Sequence, residues 1–315
     1  MNTLSVSSYS VREQLGPVDF TFVDPSSGRD VHISFPFTKE LDLSEFPARA
    51  KSAFGVDAIE TVALQFAGLD DPELDRFAAA LRDTGVTLLN VAIDAGDLLE
   101  PDPAKRGADV AELQRWIDRF AAMGSRFVRV NPGSPLAQHH GDDLPDYLVE
   151  ALRELGAYAS DRGARLLVEN HGGPSSDPVW MTRLLDAVGR DHLGLLLDLG
   201  NFDALLMPAM ALFFGGQDGE RVDPEQLFAS VDLTSLYAGI EALAPRAELV
   251  HVKVHTVGAD GAVGPVDLPR ALGILAAVGY DGPLTVEYEG TGGDPWAKSA
   301  RVLEVAASAV EEVAR

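Results

Sequence analysis

The chain reads as a single (β/α)8 barrel on three observations. Short apolar, strand-like runs alternate with amphipathic segments from one end to the other, and eight such repeats are present. Its 315 residues are enough for one large α/β barrel. A doubly wound sheet is the rival architecture, but regular repeats without a Gly-rich dinucleotide loop favour closure.

The elements follow in order. A first strand is expected over Leu4–Tyr9, then a departure from the repeat: residues 18–37, VDFTFVDPSSGRDVHISFPF, read as two strands around the turn-rich DPSSGRD. This hairpin is inserted after the first strand, where it would serve as a lid, a partner-docking edge or decoration. Helix Leu43–Phe54 leads to strand Ala58–Leu64, and Asp70-Asp71-Pro72 opens a helix to Thr84. Strand Thr87–Ile93 precedes a helix over Val110–Met123, in which Leu113, Trp116, Ile117 and Phe120 recur at helical spacing. Strand Arg126–Asn131 and helix Leu144–Arg162 come next, followed by strand Arg165–Glu169. Asp177-Pro178 then opens a helix to Val188. After strand Leu193–Asp198, residues 199–224 form a second excursion rich in Gly, Met and Phe. Helix Leu236–Leu243, strand Glu248–Val254, helix Leu268–Val278 and strand Leu284–Tyr288 complete the pattern, with Asp294-Pro295 opening a last helix to Val313. Both insertions would rise from the rim formed by the C-terminal strand ends, where active sites of such barrels lie. One domain over 1–315 is expected.

Composition narrows the function. With 46% hydrophobic and 23% charged residues the chain has the make-up of a globular protein with a sizeable core. Asp and Glu number 49 against 25 Lys and Arg, a formal charge of −24. Such a surface repels phosphate backbones and anionic membranes, so neither is an expected partner. The absence of cysteine excludes disulfides, thiolate metal sites and a cysteine nucleophile. No apolar run approaches the roughly 20 residues that span a bilayer. The opening residues lack the pattern of a signal peptide, and a cytoplasmic location is the expectation.

Four of the runs carry, near their ends, a side chain that binds divalent cations: LLVEN with Glu169, LLLDLGN with Asp198, LVHVKVH with His251 and LTVEYEG with Glu287. If these strands lie side by side, two Glu, one Asp and one His converge on one side of the barrel mouth. That donor set suits one hard or borderline cation, Mn²⁺ first, with Mg²⁺, Co²⁺ and Zn²⁺ as alternatives. Such a cation would engage adjacent hydroxyl and carbonyl oxygens of a sugar and stabilise an enediolate. Glu169 and Glu287 are candidate bases for the carbon acid beside that carbonyl. Lys253 is either a base, if its pKa is lowered, or an electrophile to an oxyanion.

Residues two apart share a strand face, which adds His171, Arg129 with Asn131, His255 and Glu289 to the same mouth. His171 is also a catalytic candidate, while Arg129, Asn131, His255 and Glu289 are candidates for binding substrate hydroxyls. His139 and His140, in the loop PGSPLAQHHGDD, join them as substrate candidates. His32 and His192 read as structural. GTGGDP after the last strand sits where barrels often bind phosphate, but a Gly pair is weak evidence. No GxSxG, P-loop or HExxH pattern is present.

Through VENHGGPSSDPVW, LLDLGNF, HVKVH and VEYEG, and the earlier FGVDAIE and RVNPGSP, the chain resembles the xylose-isomerase-like barrel superfamily, which includes sugar phosphate isomerases and epimerases. The resemblance implies the metal quartet Glu169, Asp198, His251 and Glu287, and a divalent-metal-dependent isomerase or epimerase acting by proton transfer beside a sugar carbonyl. One position departs: many epimerases of the family carry a histidine three residues after the aspartate, and here that residue is Asn201, retained as a substrate-binding candidate. The same superfamily includes keto-polyol dehydratases, and the chain also resembles catalytic subunits of C-glycoside deglycosidases, which act on 3-keto C-glycosides with a small β-rich partner. Lyase chemistry is therefore the alternative activity, and a non-catalytic sugar-binding barrel the alternative of another class. A homo-oligomer is expected, with a small β-rich second subunit under the deglycosidase reading. Endonuclease IV-type enzymes share the barrel but need a trinuclear zinc site, which 7 histidines, Asn201 and the acidic charge do not suit.

Overall fold

Eight parallel strands close on themselves in the computed structural model of this chain, which describes residues 2–23, 29–133, 144–214 and 223–313. The ring runs β1 (Leu4–Ser7), β4 (Ala58–Val62), β5 (Thr87–Ile93), β6 (Phe127–Val130), β7 (Arg165–Glu169), β8 (Gly194–Asp198), β9 (Ala247–Val254) and β12 (Leu284–Tyr288), back to β1. The inserted hairpin is present as β2 (Val18–Val23) and β3 (Asp30–Phe35), paired antiparallel from Val18↔Phe35 to Val23↔Asp30. A small antiparallel pair, β10 (Thr256–Val257) and β11 (Val263–Gly264), follows β9.

The helices α1 (Phe46–Phe54), α2 (Pro72–Thr84), α3 (Pro103–Ala122), α4 (Asp146–Ser160), α5 (Pro178–Val188), α6 (Asp203–Phe214), α7 (Pro224–Ala229), α8 (Thr234–Leu243), α9 (Leu268–Ala277) and α10 (Pro295–Val313) connect the strands. Asp-Pro pairs start α2 and α5 as expected, and one that was not foreseen starts α3: Asp71, Asp177 and Asp102 each accept a hydrogen bond from a backbone N–H of the first turn, with Pro at the first helical position. Helix α3 begins seven residues before the expected Val110. Its first two turns are mostly exposed and carry no apolar period, so the Asp102-Pro103 pair is what marks their start. The first strand stops at Ser7 and not Tyr9, because the Ser7 side chain accepts from the Tyr9 N–H and starts a 3-10 turn. The stretch 199–224 is not merely an excursion, since it contains α6 and the start of α7.

Strand alternation decides what lies inside the barrel. Ala58, Leu89, Phe127, Leu167, Leu196 and Leu249 form an apolar cluster separate from the main core between strands and helices. Two residues further along four of those strands come Arg129, Glu169, Asp198 and His251, on the same face. The interior is thus an apolar floor beneath a charged mouth. Closure is tied by Arg12, buried after β1, whose guanidinium donates to the carbonyls of Tyr288 (3.1 Å), Glu289 (2.8 Å) and Gly290 (3.2 Å) at the end of β12.

Packing is close where α4 meets the approach to β8. A Cβ added at Gly156 would lie 2.2 Å from the His192 carbonyl oxygen. Gly156→Ala is expected to destabilise the chain by about 1–3 kcal/mol. Gly107→Ala, on the exposed side of α3 with nothing near the added Cβ, should instead stabilise by about 1 kcal/mol. Urea midpoints of the two variants check the contrast.

Candidate active site

Ends of β7, β8, β9 and β12 bring the four expected ligands together. Glu169, Asp198 and His251 are buried and each offers one ligand atom, all within 4.8 Å of one another. His251 Nδ1 lies 3.7 Å from Glu169 Oε1, 3.6 Å from Asp198 Oδ2 and 3.4 Å from Glu287 Oε2. Glu287 stands outside that compact triad and leans toward Lys253, its Oε2 3.1 Å from Nζ.

Local sequence explains the aim of each group. The N–H groups of Gly200 and Asn201 donate to Asp198 Oδ1 at 2.7 and 3.0 Å, which leaves Oδ2 facing the mouth. Asn170 locks β7 to β8 by accepting from the Asp198 N–H and donating to its carbonyl, both at 2.8 Å. Gly200 also lets Lys253 pass: a Cβ there would lie 3.0 Å from Lys253 Cγ. Asp198 Oδ2 and His251 Nδ1 are buried with no hydrogen-bond partner among the described residues. Lys253 Nζ, 3.1 Å from Asp198 Oδ2, offsets that charge, so the buried His251 Nδ1 among three carboxylates is the group that fits a divalent cation.

Lys253 is the counter-charge. Its ammonium lies 3.1 Å from carboxylate oxygens of Asp198, Glu287 and Glu289. Burial alone would lower the pKa of Lys253, but Asp198, Glu289 and Glu287 outweigh it and hold it well above the ordinary value. Of the two roles expected for Lys253, the geometry is that of a permanent cation, not of a lysine prepared as a base. Burial likewise opposes ionisation of Asp198 and Glu287, yet Lys253 and His251 hold both carboxyls below the usual range. Glu169 differs: burial, with the Asp198 charge adding to it, lifts its carboxyl above the usual range despite Arg129.

The remaining candidates occupy a second layer. Arg129 Nε lies 2.8 Å from Glu169 Oε2, and its Nη1 donates to Asn131 Oδ1 (3.0 Å) and to Asp94. Asn131 Nδ2 also donates to Asp94 Oδ1, at 2.9 Å. Both side chains are therefore engaged with protein carboxylates, where open substrate contacts were expected. Asn201, the departure from the family pattern, bridges Lys253 Nζ (3.0 Å) and Glu169 Oε1 (3.1 Å). His171 is half-buried, with Nδ1 lacking a hydrogen-bond partner among the described residues. His139 and His140 lie outside the described residues.

Two participants escaped the sequence reading. Asp94, just past the apolar run of β5, anchors Arg129 and Asn131; an acid ending a strand was the available signal. Glu60, inside FGVDAIE on β4, lies 2.9 Å from His251 Nε2. Its position in mid-strand gave no sign that it reaches a residue 191 positions away.

His255 is buried, its ring stacked on Phe228 of α7 with centroids 5.4 Å apart. Burial pushes its pKa down to about 4, partly opposed by Glu289. The folded value thus lies below the unfolded one of 6.5, so the stability due to the neutral ring is complete above that pH and is lost as pH falls toward 4. Histidine-labelled NMR titration should find His255 neutral down to about 4. Phe228→Ala, which opens the ring to water, should move its midpoint upward.

Comparison with known proteins shows the family and the fold. The family model described as "Xylose isomerase-like TIM barrel" matches residues 47–306. The chain is 31% identical over 296 residues to a Streptomyces coelicolor protein named "Putative hydroxypyruvate isomerase", covering 89% of this chain and 96% of that one. In fold it is similar to an L-ribulose 3-epimerase, with TM-score 0.66, 16% identity and coverage of 100% and 96% of the two chains. It is also similar to a xylose isomerase-like barrel protein from Mycobacterium smegmatis in complex with magnesium, with TM-score 0.56, 20% identity and coverage of 85% and 89%. The chain belongs to the xylose isomerase-like TIM barrel family.

Proposed function

We propose that the chain is a divalent-metal-dependent sugar isomerase or epimerase that moves a proton at the carbon next to a sugar carbonyl. The observation that carries this reading is the convergence of Glu169, Asp198 and His251, with His251 Nδ1 buried and lacking a hydrogen bond among the described residues. Those three residues, with Glu287 beside them, would hold one cation, Mn²⁺ or Mg²⁺ by the oxygen-rich donor set. When bound, it would supply electrophilic stabilisation of negative charge on adjacent substrate oxygens.

The chain's own groups divide the remaining work. Glu169, whose carboxyl is lifted by burial, is the proton acceptor. Asn201 and Arg129 fix its two oxygens, and Glu287, held ionised on the opposite flank, is the second candidate base. Lys253 keeps its ammonium and stabilises charge on the substrate oxygen nearest it. Glu289, His255 and His171 are left to meet substrate hydroxyls.

Charge favours a neutral substrate. Among the described residues of the mouth, Arg129 and Lys253 are each held by two or more carboxylates. Residues 134–143, outside the described residues, include two Asp and no Lys or Arg in the sequence. A keto sugar fits this better than a carboxylate such as hydroxypyruvate, the second reading, which the name of the 31% identical relative favours.

Solvent deuterium exchange into a panel of ketoses, 3-keto-glycosides and hydroxypyruvate tests the proposal. Exchange into a ketose without elimination is the expected result; elimination from a 3-keto-glycoside would make the chain a lyase, and turnover of hydroxypyruvate alone would select the second reading. Glu169→Gln should lower exchange by about 10²–10⁴-fold. Chelation should abolish turnover and added Mn²⁺ restore it. Unchanged turnover in both experiments would overturn the metal-dependent mechanism.

A further inference from the structure

Glu60 is a buried carboxylate that the proposed reaction does not use. It is 2% exposed and belongs to β4, whereas His251 belongs to β9, with β1 and β12 between them in the ring. The contact is therefore made across the barrel interior and is not a by-product of strand pairing. Glu60 Oε2 lies 2.9 Å from His251 Nε2 and accepts from Asn90 Nδ2 at 2.7 Å. Its Oε1 accepts from the Thr285 hydroxyl, which in turn lies 2.6 Å from the Ser5 hydroxyl. Four strands besides its own, β9, β5, β12 and β1, thus contribute partners or support to this one side chain.

The two nitrogens of His251 face different surroundings. Nε2 meets Glu60, while Nδ1 meets the oxygens of Glu169, Asp198 and Glu287 and has no hydrogen bond. A ring nitrogen that binds a cation must present its lone pair, so the proton of the neutral imidazole has to sit on the other nitrogen. A carboxylate accepting that N–H fixes the tautomer and the ring orientation and makes the ligating nitrogen more basic.

We infer that Glu60 is a positioning residue for the cation site: it holds the Nε2–H of His251 and thereby commits Nδ1 to the metal. The role rests on the metal-site reading above and extends it to a strand opposite the ligand-bearing half of the mouth. A purely structural Glu60, present only to satisfy Asn90 and Thr285, is the competing account.

Mn²⁺ titrated calorimetrically into chelator-stripped, full-length protein separates the two. Glu60→Gln should bind Mn²⁺ roughly 10–100-fold more weakly than the parent. Asn90→Ala removes a donor to Glu60 without touching His251, and its loss should be much smaller. Equal affinity of parent and Glu60→Gln overturns the inference, as does a loss in Asn90→Ala that matches Glu60→Gln. Parent protein labelled with ¹⁵N-histidine and loaded with diamagnetic Mg²⁺ gives a readout that needs no variant. Long-range ¹H–¹⁵N correlations should show His251 protonated at Nε2 alone, and protonation at Nδ1 overturns the role even if Glu60→Gln fails to fold. Failure of the parent to bind Mn²⁺ would instead remove the metal site itself, and the role with it.

Discussion

Burial of like charges in the barrel mouth is the constraint from which the rest of the site follows. Glu169, Asp198 and Glu287 meet His251 at 3.4–3.7 Å, in surroundings where an isolated carboxylate is strongly disfavoured. The chain answers with fixed cations from two sides. Arg129 approaches Glu169, and Lys253 is held between Asp198, Glu287 and Glu289. Removing one partner from such a buried set typically costs about 3–5 kcal/mol, because the remaining charge is stranded.

That compensation is uneven, and the unevenness gives the site chemical direction. Lys253 and His251 depress Asp198 and Glu287, whereas Glu169 keeps a raised carboxyl even beside Arg129. Groups of one chemical type are pushed apart by their surroundings, a pattern that suits assigning one of them as base. Asn201 belongs to the same balance. A histidine at that position could add a charge, but the amide bridges Glu169 and Lys253 with one acceptor and one donor. The departure from the family pattern thus becomes part of the link between the proposed base and its neighbouring cation.

Beneath the mouth, the apolar floor of Leu167, Leu196 and Leu249 sits one strand repeat below Glu169, Asp198 and His251. Any shift of one residue in strand register would exchange floor and ligands with the outer face. The hydrophobic core and the ligand set are consequently specified together: the same alternation that buries the leucines aims the acids.

Much of this was legible in the chain. Apolar runs ending in Glu169, Asp198, His251 and Glu287, repeated strand–helix periodicity and Asp-Pro helix starts depend on neighbouring residues, and a one-dimensional pattern records them. The hairpin 18–37 was equally local, since its turn residues lie between its strands. Partners far apart in sequence were not. That Arg129 and Asn131 are taken up by Asp94, that Lys253 is encircled by carboxylates, and that Glu60 reaches His251 all depend on which strands become neighbours when the ring closes. The sequence by itself determined the barrel and the four strands that carry the candidate ligands, because periodicity and side-chain type are properties of the chain. Only the tertiary structure decided which of those groups stay charged, which are already paired and which nitrogen of His251 is left facing the ligands, because those outcomes are set by distance and burial.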